Sequence, residues 1–85
     1  MHDLFEAQKI LKVVLKKATE AGAKKINMVK IGMGSIVDHG EELAPENIRF
    51  NLEQLSKKTI AEGADFDVRK IKGDIWTIDE MDVDR

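Results

Sequence analysis

The sequence contains no cysteine, and this absence excludes several classes of protein. Disulfide bonds, iron–sulfur clusters, cysteine-based zinc sites and thiol catalysis all require cysteine side chains. There is also no apolar run that approaches the roughly 20 residues of a membrane-spanning helix. The first residues are charged and amphipathic, unlike the apolar core of a signal peptide. We therefore expect a cytoplasmic protein with no membrane association.

Neither sign of charge dominates, because 14 basic residues stand against 16 acidic ones and give a net charge of -2. A dedicated nucleic-acid-binding domain carries a basic surplus, so no nucleic-acid partner is expected. Hydrophobic residues make up 42% and charged residues 35% of the chain, as in soluble globular proteins. A chain of 85 residues has room for one core, which predicts a single domain over residues 1–85.

The first amphipathic segment predicts a helix from about Asp3 to Ala21, with apolar residues recurring every three to four positions. Asp3 is expected to cap this helix, Glu6 to complete a capping box, and Gly22 to end it in a left-handed conformation. Phe5 breaks the pattern, because it points among the lysines of the charged face. We expect it to be exposed, either as a contact for a partner or as a ring lying over lysine stems.

Three further segments have the two-residue alternation of β-strands. They are expected near Lys25–Met33, 65–71 and 75–83. The alternation slips at Asn27-Met28 and again at Asp79-Glu80, which predicts a β-bulge at each place.

A second helix is expected to begin at Pro45 and to reach residues 56–58, because proline is well tolerated at the first helical position. The order α-β-α-β-β predicts an α/β fold: a two-layer sandwich with a three-stranded mixed sheet and both helices on one face. The first two strands should be parallel, joined by a right-handed crossover. The last two should pair as a hairpin closed by Lys72-Gly73, with Trp76 and Ile78 facing the helices.

Two loops carry candidate site residues. Gly32-Met33-Gly34-Ser35 partly resembles a phosphate-binding loop, although a strand end against which another backbone packs explains the glycines as well. Residues 35–44 are expected to form a polar loop in which His39 stands among acidic residues. This arrangement is either a metal-ligand cluster or a charged surface turn. The turn is favoured because no fixed spacing organises the ligands.

The strongest candidate for a site is the N-terminal tripeptide Met1-His2-Asp3. The α-amine, two backbone amides and the His2 imidazole can converge on one metal ion, with the Asp3 carboxylate beside them. Nitrogen-rich, near-square-planar sites of this kind suit Ni(II) or Cu(II). The alternative is that the tripeptide has no function, because every chain begins with Met and short motifs often match by chance.

Taken in order, these motifs resemble the nickel-binding domain of the HypA-like hydrogenase-maturation metallochaperones. That family opens with Met-His-Glu, where this chain has Met1-His2-Asp3. Its first strand ends in Ile-Gly, as in Ile31-Gly32. Its second helix opens with Pro-Glu and carries an aromatic pair, much as Pro45-Glu46 and Arg49-Phe50 stand here. The stretch Thr-x-Ala-Glu-Gly-Ala is intact in residues 59–64, and the resemblance covers nearly the whole chain.

The resemblance implies that the Met1 amine, the amide nitrogens of His2 and Asp3, and the His2 imidazole bind Ni(II), with the Asp3 carboxylate assisting. It also implies a protein partner, either the nickel-insertion GTPase HypB or the target metalloenzyme. The family inserts a zinc ribbon with two Cys-x-x-Cys pairs between its last two strands. Lys72-Gly73 stands at that position here, so zinc is not expected.

The residues themselves leave two alternatives to a metallochaperone. A metal-free interaction module would keep the fold and bind a partner, or a second copy of itself, through Phe5 and an edge strand. An enzyme is not expected, because the chain has no cysteine nucleophile, only two histidines, and no recognisable acid–base pair.

Overall fold

The computed structural model describes residues 2–38 and 40–85. Within them the elements follow in the order α1 (His2–Glu20), β1 (Lys25–Met33), β2 (Val37–Asp38), β3 (Glu41–Glu42), α2 (Pro45–Leu55), β4 (Asp65–Lys70) and β5 (Trp76–Asp84). The main sheet has the strand order β4-β1-β5, with β4 parallel and β5 antiparallel to β1. This mixed three-stranded sheet with two helices confirms the predicted α/β fold and its α-β-α-β-β order.

The core lies between the helices and one face of the main sheet. Burying the apolar face of each element removes hydrocarbon surface from water, which is the main force that holds such layers together. Four elements contribute fully buried side chains: Ala7, Ile10 and Val14 from α1, Ile26, Val29, Ile31 and Met33 from β1, Ile48 and Leu52 from α2, and Phe66 from β4.

Both predicted bulges are present where β1 pairs with β5. Ile26 pairs with Val83 and Met28 with Asp82, so Asn27 is the extra residue on β1. On β5 the extra residue is Asp79. A single inserted residue reverses the side on which the following side chains point. The bulge at Asn27 therefore brings Ile26 onto the same buried face as the later apolar residues of β1.

The ends of α1 differ in part from the prediction. The helix begins at His2, so Asp3 lies inside the first turn and does not precede the helix as a cap. At the other end the helix stops at Glu20, and Gly22 takes a positive φ of 75°. The Ala23 amide then donates to the Ala18 carbonyl at 2.9 Å, a hydrogen bond typical of helices that end at glycine.

The predicted hairpin between the last two strands is wrong, because β1 lies between β4 and β5. A connecting link of residues 71–75 crosses the end of β1 and is held to it by backbone hydrogen bonds. The apolar residues of β5 match those of β1 across the strands, and such cross-strand pairs stabilise a sheet. Trp76 and Ile78 pack against the core, as expected. The matched pairs are Met33 with Trp76, Ile31 with Ile78, Val29 with Met81 and Ile26 with Val83.

The segment 35–44 was expected to be a loop, but it contains the two short antiparallel strands β2 and β3. The Leu43 amide donates to the Ile36 carbonyl at 2.8 Å, and Leu43 is buried. The hairpin is tied to the main sheet by an ion pair between Glu42 and Lys70. Strands of two residues are too short to show an alternating pattern, which is why the sequence did not indicate them.

α2 begins at Pro45, as predicted, and Ala44 precedes it in an extended conformation. The helix ends at Leu55, just short of the expected end. Among residues 2–38 and 40–85, no helix is long and apolar enough to cross a membrane.

Candidate functional site

The three residues nominated as metal ligands stand at the start of α1. Met1 and the His2 side chain lie outside the described part of the chain, while the His2 backbone is the first residue of the helix. Asp3 lies in the first turn and is half-buried. The backbone amides of His2 and Asp3 therefore belong to the first turn of α1.

The first amides of α1 lack acceptors within the helix. The first four N–H groups of an α-helix have no acceptor within the helix, because the residues that would supply one lie outside it. Since α1 begins at His2, the amides of His2 and Asp3 belong to this group. The positive end of the helix dipole also favours negative charge there.

One turn into the helix, Glu6 makes a contact that the sequence did not indicate. Its Oε2 atom accepts a hydrogen bond from Trp76 Nε1 at 3.0 Å, although the two residues are 70 positions apart. The Glu6 side chain is only 17% exposed. Glu6 had been expected to reach back to the helix cap, but its carboxylate instead joins α1 to the start of β5. No spacing in the sequence relates these two residues.

Phe5 lies on the outside of the same helical turn. It is 54% exposed, which confirms the expectation that it stands apart from the core face of α1. Phe50 on α2 is exposed to a similar degree, at 60%. Large exposed apolar side chains are candidates for contacts with other proteins, although single ones are common on protein surfaces.

The segment Gly32-Met33-Gly34-Ser35 does not form a phosphate-binding loop. The Gly34 amide donates to the Ile75 carbonyl at 2.8 Å, and the Ser35 amide donates to the Gly73 carbonyl at 2.7 Å. Amides that are already paired with protein carbonyls cannot also cradle a phosphate. The alternative interpretation, a strand end where another backbone segment packs closely, is confirmed.

His39 lies outside the described residues; in the sequence it stands between β2 and β3. Across residues 2–38 and 40–85, no group of three or more His, Asp or Glu side chains is placed to hold a metal ion. Hydrogen bonds from Lys70 and then Ser35 lower the pKa of Glu42, which is part of this hairpin. Its carboxylate is thus engaged in surface contacts.

A second surface pair lies on the open face of the sheet. Hydrogen bonds from Arg69 to Asp67, with N–O distances of 3.0–3.2 Å, lower the pKa of Asp67 and raise the pKa of Arg69. Both residues belong to β4 and are at least partly exposed. These shifts stabilise the charged forms of both Asp67 and Arg69, as expected of a structural ion pair. They do not suit a general acid or base, which must change its charge near neutral pH.

Comparison with known proteins identifies the family. A family model described as "Hydrogenase/urease nickel incorporation, metallochaperone, hypA" matches residues 1–79, and the chain therefore belongs to the HypA family. The match begins at Met1, so the N-terminal tripeptide falls within the part of the chain that the family model covers.

Several curated relatives carry the name hydrogenase maturation factor HypA. The one from Pyrococcus furiosus is 37% identical over 65 residues, which is 76% of this chain and 44% of the relative. The one from Methanopyrus kandleri is 37% identical over 73 residues, covering 86% and 49%. The one from Archaeoglobus fulgidus is 33% identical over 75 residues, covering 88% and 64%. The chain thus spans about half the length of the first two relatives and under two thirds of the third.

Proposed function

We propose that this chain is a nickel-binding metallochaperone-like protein that supplies Ni(II) for the maturation of a hydrogenase-type metalloenzyme. The Met1 amine, the amide nitrogens of His2 and Asp3, and the His2 imidazole would form the nickel site. The Asp3 carboxylate would assist. Its side chain is one methylene shorter than the glutamate that HypA-like proteins have at this position. The unit that binds the metal would be a single domain formed by residues 1–85.

The observation that carries this proposal is the start of α1 at His2. The amides of His2 and Asp3 therefore have no acceptors within the helix. The Met1 amine and the His2 imidazole belong to the same three residues. Backbone amides must lose a proton to bind a metal, so nickel affinity should fall as the pH falls. A site formed by the N-terminal amine would also be accessible to a receiving protein, which suits an ion that has to be passed on.

The receiving partner would be the nickel-insertion GTPase HypB or the target metalloenzyme. This proposal is supported by family membership and by the exposed Phe5, which offers an apolar contact close in sequence to the proposed ligands. The chain itself would carry out no catalysis, because transfer of the ion exchanges one set of ligands for another and needs no acid or base.

The experiment is a calorimetric Ni(II) titration near pH 7.5, performed on the untagged chain and on a form with one residue added before Met1. The extension moves the amine away from the ion while leaving His2 in place. The untagged chain should bind one Ni(II), and the extended form should lose most of its affinity. Equal affinity in both forms would defeat the terminal site.

A metal-free interaction module is the second candidate, and the 54% exposure of Phe5 is the observation that favours it. In that case neither form would bind Ni(II), and sedimentation of the untagged chain would show self-association that Phe5→Ser removes. The same two measurements therefore separate the candidates.

A further inference from the structure

The hydrogen bond between Glu6 and Trp76 satisfies the indole, but it leaves the charge of the carboxylate unexplained. Buried indole N–H groups usually find an acceptor, and a neutral glutamine would serve equally well. Within the described residues, the cation paired with Glu6 is Lys9, at 3.9 Å from Oε1 and with its side chain 70% exposed. An exposed ion pair at that distance contributes little. Within the described residues, this carboxylate, which is only 17% exposed, therefore has no close and buried cationic side chain as a partner.

The backbone places Glu6 one helical turn after His2, the first residue of α1. Residues four apart on an α-helix lie on the same face, with Cβ atoms about 5–6 Å apart. Glu6 stands four positions after His2 in α1. Trp76 occupies Oε2 and so restrains the carboxylate, while Oε1 keeps lone pairs for another donor.

We propose that Glu6, restrained by Trp76, is a positioning residue of the N-terminal nickel site, where it accepts the imidazole N–H of His2 that does not face the ion. This inference rests on the proposed terminal site. Histidines that bind metals commonly donate their other ring N–H to a carboxylate, which orients the ring and makes it a stronger ligand. The chain thus supplies the orienting carboxylate from the next turn of the same helix, and β5 supplies the restraint.

The first test is Ni(II) titration of Glu6→Gln, which keeps the acceptor for Trp76 but removes the charge. The dissociation constant should rise by about tenfold, in the range known for residues that orient metal ligands. The unfolding temperature should stay unchanged. Glu20→Gln is the matched control, because it removes the same charge about 20 Å further along the helix. At that distance salt screens the charge, so its removal should not affect the proposed metal site. Its affinity should match that of the unmodified chain.

The second test separates positioning from simple charge attraction by means of a double-mutant cycle with His2→Ala. Cu(II) is the probe, because it binds such ligand sets more tightly than nickel and so still binds when the imidazole is absent. Glu6→Gln should weaken Cu(II) binding about tenfold when His2 is present and less than about twofold in His2→Ala. An equal loss in both backgrounds would overturn the positioning role.

Trp76→Phe tests the restraint, since it keeps an aromatic ring on β5 but removes the N–H donor. It should weaken Ni(II) binding less than Glu6→Gln does, and adding it to Glu6→Gln should cause no further loss. A further loss in the double variant would show that Trp76 acts on the site by another route.

The outcomes also separate this inference from the function on which it rests. If the unmodified chain binds no Ni(II), or binds it without needing its free amine, the terminal site itself is wrong. If binding depends on the free amine but Glu6→Gln binds as tightly as the unmodified chain, only the role of Glu6 is wrong.

Discussion

A Cβ atom built on Gly34 would lie 2.5 Å from the carbonyl oxygen of Gly73. The link between β4 and β5 therefore passes directly against the end of β1, where only a residue without a side chain fits. The Gly34 amide also donates to the Ile75 carbonyl, so the two segments are hydrogen-bonded as well as closely packed. This crossing allows β5 to reach the far edge of β1.

Gly34→Ala should destabilise the fold, because the new methyl group would meet backbone atoms that cannot move independently. Overpacking of this kind costs about 1–3 kcal/mol. The unfolding temperature should fall by roughly 4–8 °C for each kcal/mol, as measured by calorimetry. Lys72→Ala in the same link is the control, since Lys72 is exposed and its removal should have no measurable effect. An unchanged unfolding temperature in Gly34→Ala would contradict the close crossing.

Phe5→Ser should leave the stability nearly unchanged, because Phe5 is 54% exposed. Surface substitutions usually change the free energy of unfolding by less than about 0.5 kcal/mol. Association with a partner or with a second copy should weaken, which sedimentation can measure. Phe66→Ala is the contrasting variant: Phe66 is 1% exposed, and its loss should cost about 3–5 kcal/mol. A drop of several degrees in Phe5→Ser would place that ring in the core.

Arg69→Gln should raise the pKa of Asp67 towards its ordinary value of 3.8, because the hydrogen bonds from Arg69 are the main cause of its lowered pKa. NMR titration of the Asp67 carboxyl carbon measures this directly. A lowered folded-state pKa stabilises the fold above the ordinary pKa and loses that effect as the pH falls through the folded value. Any stability difference between the two forms should therefore vanish in acid. Arg49→Gln should shift Asp67 less, since Arg49 acts on it only through a weak charge interaction.

His2→Ala should abolish Ni(II) binding without changing the helix content, because His2 stands at the very start of α1, before its core-facing residues. His39→Ala should bind nickel as the unmodified chain does. Calorimetry and circular dichroism on both variants provide the comparison. In the unmodified chain the affinity should fall steadily as the pH falls, since protons compete for the amides and the imidazole. Loss of binding in His39→Ala alone would assign the metal to the β2–β3 hairpin.

The elements of this fold were predictable because their signals are local. Lys25–Met33 alternates apolar residues along its own length, and Pro45 begins a helix by its own backbone geometry. The bulges at Asn27 and Asp79 appear as breaks in alternation within single strands. The candidate ligands Met1, His2 and Asp3 could likewise be nominated from chemistry contained in three consecutive residues.

The tertiary structure decided which strands pair and which distant side chains contact each other. The alternation of β5 is compatible with either neighbour, but β5 pairs with β1, and the link that leads to it packs closely against Gly34. The contact between Glu6 and Trp76 is of the same kind. Periodicity records the face on which a side chain lies. The partner across a strand or a helix depends on how whole elements pack, and therefore on residues far apart in the chain.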